Sequence, residues 1–206
     1  MPVQLRYETG LTGAEYVTRQ GWRLARLERC PLHPGGGCDL ARHTPYLRKS
    51  PPGTYIARWY CRQGHCTFSL LPDHLAARLP GTLAEIERVV LAVEQARSVE
   101  AAADALRPDA VTLPSAVRWV RRRVVPVYRL LVTVVSLFPE LLLGCAPRLT
   151  AVGARLGCDH VLLTLRWLAQ AHLAALPRPL GFDHRHRVAG GARVGFQHDL
   201  GPDPPR

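Results

Sequence analysis

From Cys30 to Ser69 the sequence reads CPLHPGGGCDLARHTPYLRKSPPGTYIARWYCRQGHCTFS, which holds four of the chain's 6 cysteines and three of its 9 histidines. This clustering constrains the fold more than any other feature. A structural zinc site takes four thiolate or imidazole ligands in a tetrahedron, usually as two pairs close in sequence with a hairpin between them. The first group is Cys30, His33 and Cys38, and the second is Cys61, His65 and Cys66. Between them, the PPG at Pro51 to Gly53 marks a turn. The flanking segments ARHTPYLRK and TYIARWY are expected to form the two strands of a β-hairpin.

Six candidates compete for four positions. Cys30 and Cys61 open their groups and have no rivals there. Cys30-x2-His33 has ordinary knuckle spacing, whereas Cys38 needs the loop through Gly35, Gly36 and Gly37 to curl back; the preference of zinc for thiolate favours Cys38. Cys61-x3-His65 and Cys61-x4-Cys66 both satisfy the geometry. The expected set is Cys30, Cys38, Cys61 and Cys66, with His33 and His65 as substitutes. A catalytic zinc would need an open position and a nearby acid. Asp39 and Asp73 are the only carboxylates between Cys30 and Pro80, and neither lies in a His-x-Glu arrangement. The expectation is therefore a structural Zn2+ and no enzymatic activity. The opening MPVQLRYETG has no apolar segment behind a basic cap, so the thiols are expected to meet a reducing cytoplasm, and disulfides are the weaker alternative.

The expected fold class is α+β: a small β-hairpin zinc ribbon, an α-helical helix-turn-helix region, further helices and a disordered tail. Thr12 and Glu15 form a capping box in an N-terminal helical arm over residues 1–28, ahead of a ribbon-like module over 29–75. Thr82 and Glu85 form a second box before Leu83, Ile86, Val89, Val90 and Val93, which are spaced as one helical face. SVEAAADALR is a short helix opened by Ser98 and stopped by Pro108. LPSAVRWVRRRVV opens a helix at Pro114 and completes a helix-turn-helix-like region over 80–130, although the link from Arg107 to Leu113 is longer than a tight turn.

Residues 131–176 read as apolar helices, Leu130 to Leu143 and Thr150 to Leu176. The run from Leu130 to Gly144 carries Pro139 and Glu140 and is too interrupted to span a bilayer. It suits either a homodimer interface or the core of a monomer. Cys145 and Cys158 read as buried thiols. The tail, 177–206, is rich in Pro, Gly, Arg and His and is expected to be disordered, with His184 and His186 solvated.

Net charge is +11 and the sequence pI is about 10.1, yet Lys49 is the only lysine among 27 basic residues. Such arginine bias points to a GC-rich genome, so the distribution of charge is more telling than its total. In PSAVRWVRRRVVPVYR five arginines occur without an acid, while Glu85, Glu87, Glu94, Glu100, Asp104 and Asp109 precede it. At helical spacing Ser115, Arg118, Arg121 and Arg122 share a broad face, with Arg123 in the same cluster, and Val117, Val120 and Val124 point inward. Ser115, Arg118, Arg121, Arg122 and Arg123 are the candidate DNA contacts.

GWRLARLERCPLHPGGGC, ARHTPYLR and RWYCRQGHCTFSLLPDHLAARLPGTLAEIERVV, within residues 21–125, resemble the N-terminal recognition region of bacterial insertion-element transposases. The resemblance implies a zinc ribbon ahead of a DNA-binding helix-turn-helix. The chain departs from that pattern in its ligand pairs, which are not Cys-x2-Cys, and at 206 residues it is expected to lack the acidic-triad nuclease domain. Asp159, Asp183 and Asp199 lie in no β-rich segment. The function expected is that of a non-catalytic, zinc-stabilised DNA-binding protein, a transposase-like recognition module with no membrane and no small-molecule substrate. The alternative is a zinc-containing protein-interaction adaptor that uses its C-terminal apolar helices.

Overall fold

The β-branched and aromatic residues before Pro72 build one sheet, and the alanine, leucine and valine beyond it build helices. A computed structural model describes residues 3–107 and 112–182. The strands are β1 (Val3–Tyr7), β2 (Leu40–Leu47), β3 (Tyr55–Cys61) and β4 (Cys66–Pro72), in the order β1-β4-β3-β2. β2 and β3 are the expected hairpin, antiparallel with Leu40 opposite Cys61 and Leu47 opposite Tyr55. β4 pairs antiparallel with β3, and β1 pairs parallel with β4, Val3 lying opposite Phe68. The 1–28 arm thus opens with a strand and is helical only afterwards, in α1 (Gly13–Thr18) and the single turn α2 (Gly21–Leu24). The Thr12–Glu15 capping box is present at α1.

The helical part comprises α3 (Leu83–Gln95), α4 (Val99–Leu106), α5 (Leu113–Leu137), α6 (Pro139–Leu142), α7 (Leu149–Leu156) and α8 (Val161–Leu168). Thr82 and Glu85 form the second box, and the Ser98 hydroxyl accepts from the Ala101 N–H. The Leu130–Leu143 segment expected as a separate helix divides instead between α5, which continues through Pro126, and the short α6. An interior proline costs about 3 kcal/mol. Buried Val124, Val127, Leu130, Leu131 and Val134 flank it, and burying each side chain contributes about 1.5–3 kcal/mol, so packing wins. The helix expected over Thr150–Leu176 is also divided. Gly157, at φ 62°, ends α7 in the left-handed conformation, and Gly153 lets Val161 come so close that an added Cβ would lie 2.9 Å from it.

One core joins Ile56 and Leu71 of the sheet to the buried faces of the helices. The segment between β4 and α3 is tied in by two arginines. Arg48 donates to the carbonyls of Ala76, Leu79 and Gly81. Arg166, 1 % exposed, donates to those of Asp73, Leu75 and Pro179. Order also extends past Leu176, against the expectation of a disordered tail from residue 177: Leu180 and Phe182 are 0 % and 4 % exposed in the core. The remainder of the tail, with His184, His186, Asp183 and Asp199, lies outside the described residues. No helix among the described residues is long and apolar enough to cross a membrane.

Candidate metal centre and the arginine face

The loop before β2 turns back on itself at Cys30. The His33 N–H donates to the Cys30 carbonyl at 3.0 Å, and Gly36 and Gly37 take φ of +88° and +80°, which only glycine adopts without strain. The loop therefore curls as far as Cys38 and meets Cys61 at the end of β3. Ligand atoms of Cys30, His33, Cys38 and Cys61 all lie within 4.8 Å of one another. Three ligands come from the loop and one from the hairpin, in place of the expected two pairs.

The distances suit an ion. Zn–S bonds of about 2.3 Å and Zn–N bonds of about 2.0–2.1 Å at a tetrahedral angle put sulfur and nitrogen about 3.6 Å apart. His33 Nδ1 lies 3.5 Å from Cys30 Sγ and 3.4 Å from Cys61 Sγ. Burial pushes the Cys30 thiol up, but hydrogen bonding to His33, the Leu32 backbone and the thiols of Cys61 and Cys38 outweighs it and brings the pKa down to about 7. At Cys38, burial and then the sulfurs of Cys30 and Cys61 push it up to about 11. Packed sulfurs that resist joint deprotonation are what a divalent cation relieves. The residues present therefore fit a Cys3His metal site of the kind that zinc takes.

Supporting residues were not legible from ligand spacing. The Gly64 N–H donates to Cys61 Sγ at 3.2 Å, and a Cβ there would meet Leu32 Cδ1 at 2.5 Å and Cys61 Sγ at 3.4 Å. Gln63 clips the loop to the β3–β4 turn: its Oε1 accepts from the Asp39 N–H at 2.9 Å and its Nε2 donates to the Gly37 carbonyl at 3.2 Å.

The other two candidates lie outside the group. Cys66 faces Cys61 across the β3–β4 ladder, but its Sγ is turned toward the Thr67 carbonyl at 3.9 Å, and burial raises its pKa. His65 is exposed in the turn at φ 44°, with Nδ1 3.4 Å from the Tyr60 hydroxyl. His33, expected only as a substitute, takes the place expected for Cys66.

On α5, Arg118, Arg121 and Arg122 are exposed and Val117, Val120 and Val124 are buried. Arg121 pairs with Glu100 of α4 at 3.5 Å. Arg123 leaves this face: its guanidinium carbon sits 3.9 Å from the centre of the Trp119 ring, its Nη1 donates to the Trp119 carbonyl, and burial lowers its pKa. The Ser115 hydroxyl is spent on the Thr112 carbonyl at 2.8 Å. α4 packs on α5, but Pro108 and most of the link between them lie outside the described residues. Cys145 and Cys158 are partly buried, packed against the large core, and do not belong to the ligand group. Compared with protein families, curated proteins and solved structures, the chain matches none.

Proposed function

We propose that this is a non-catalytic, zinc-stabilised DNA-binding protein, akin to the recognition module of bacterial insertion-element transposases. In this reading Cys30, His33, Cys38 and Cys61 hold zinc and fix the ribbon-like end of the sheet. α4 and α5 act as a helix-turn-helix-like pair, and α5 presents arginine to DNA. The zinc half is supported by the convergence of the four ligands. The observation that carries the DNA half is charge segregation on α5, where three exposed arginines stand over a buried valine stripe. Guanidinium groups neutralise phosphate or read guanine by paired hydrogen bonds.

The test is an electrophoretic shift assay over a salt series with the zinc-loaded protein. Arg121→Ala with Arg122→Ala should weaken binding and flatten its salt dependence by roughly one unit of log–log slope for each phosphate no longer neutralised. Unaltered affinity and slope would remove the DNA reading. The adaptor reading has its own support in α8, where Trp167 is 60 % and Leu163 41 % exposed. It predicts a protein partner whose capture depends on those two residues and is indifferent to Arg121 and Arg122.

A further inference from the structure

Arginines from two distant parts of the chain line one cleft. Arg118, Arg121, Arg122 and Arg129 come from α5, Arg178 comes from the segment after α8, and together with Pro126 and Pro177 they surround about 400 Å³. The Arg178 segment is held in place. Leu180 is fully buried beside it, and the Pro179 carbonyl accepts from Arg166 at 2.9 Å and from the Ala77 N–H at 2.7 Å. All five arginines are exposed, and among the described residues no carboxylate lines the cleft and only Arg121 of the five makes an ion pair.

Like charges gathered around a concavity repel one another. The Glu100 carboxylate offsets the charge of Arg121; the other four have no ion-pair partner among the described residues, and an anionic ligand would supply one. The lining also narrows the ligand class. Among the described residues it contains no aromatic ring on which an unpaired base could stack, and its remaining walls are valine and proline, which have no side-chain groups to read base edges. Guanidinium forks in a concave wall match phosphate oxygens.

We propose that this cleft is a sequence-independent clamp for the phosphate backbone of duplex DNA, in which Arg129 and Arg178 extend the surface that α5 offers to DNA. The proposal rests on the DNA reading of α5 and adds the mode of binding and two residues that sequence spacing did not assign.

Fluorescence anisotropy of the full zinc-loaded chain with two short duplexes of unrelated sequence, each over a salt series, tests it. Arg129→Ala with Arg178→Ala should weaken both duplexes equally, about tenfold at moderate salt, and make the log–log salt slope shallower by about 1.8, or 0.9 per phosphate released. Neither side chain belongs to the buried core, so the core is left intact. An unchanged slope in this variant, while Arg121→Ala with Arg122→Ala still weakens binding, would overturn the clamp and leave the DNA reading standing. No change in either double variant would overturn both. An effect on one sequence alone would refute sequence independence. Displacement of duplex by inorganic tripolyphosphate or by single strands at equal phosphate concentration would refute the duplex assignment.

Discussion

At the scale of single residues, the metal centre turns on a choice between His33 and Cys66. Thiolate preference favours Cys66, but position decides against it. His33 Nδ1 is within 3.5 Å of two sulfurs, whereas the Cys66 thiol faces the Thr67 carbonyl. The purified protein should hold one zinc per chain with an absorption-edge signature of three sulfurs at about 2.3 Å and one nitrogen at about 2.0–2.1 Å. Cys66→Ser should keep that stoichiometry, and His33→Ala and Cys61→Ser should lose it. Metal quantification after dialysis against a weak chelator reads the result. A Cys66→Ser protein stripped of zinc beside a His33→Ala protein that retains it would reverse the assignment.

At the scale of elements, α7 and α8 lack side-chain caps of their own, and α3 supplies both. Glu87, 4 % exposed, accepts from the N–H groups of Val161 and Leu162 at 2.8 and 3.1 Å. One heptad on, Glu94 accepts from those of Leu149 and Thr150 at 2.8 and 3.0 Å. Each carboxylate satisfies two N–H groups that a helix start leaves open and meets the positive end of the helix dipole. Glu87→Ala should cost about 2–4 kcal/mol because two buried N–H groups are left without a partner, and Glu94→Ala about 1 kcal/mol because water reaches that site. Urea denaturation of the two variants checks the order; a larger loss for Glu94→Ala would contradict it. These caps also mark where sequence reading stops. The boxes at Thr12 and Thr82, the Ser98 cap and the β2–β3 hairpin were legible because each depends on residues near one another in the chain. The Glu87 and Glu94 caps reach partners up to 75 positions away, and β1 pairs with a strand that begins at Cys66, so no local pattern announces them. At Pro126 a strong local signal against helix is overridden by burial on both sides of it.

At the scale of the whole molecule, the sheet takes part in more than one core. Its inner residues Ile56 and Leu71 belong to the large cluster shared with the helices, while Cys30, Cys61 and Phe68 form a separate small cluster at the metal end. The buried members of that cluster are two thiols and one phenylalanine, with only partly buried residues such as Leu5, Leu27 and Trp59 packed on them, and an ion held by the proposed ligands would supply the free energy that orders the Cys30–Cys38 loop. The helices, with their larger core, carry no such dependence. Chelation should therefore melt one end of the molecule and spare the other. Hydrogen exchange in the zinc-free protein should accelerate at least about 100-fold at amides of Cys30–Leu40 and Cys61–Phe68, equivalent to about 2.7 kcal/mol of local stability, while α3, α5 and α8 keep their protection. Mass spectrometry of exchanged peptides before and after chelation reads both regions in one experiment. Equal loss of protection across the helices would mean that the metal end and the helical core unfold as one unit. Unchanged protection at both ends, in protein shown to be zinc-free, would mean that Cys30, His33, Cys38 and Cys61 do not depend on an ion at all.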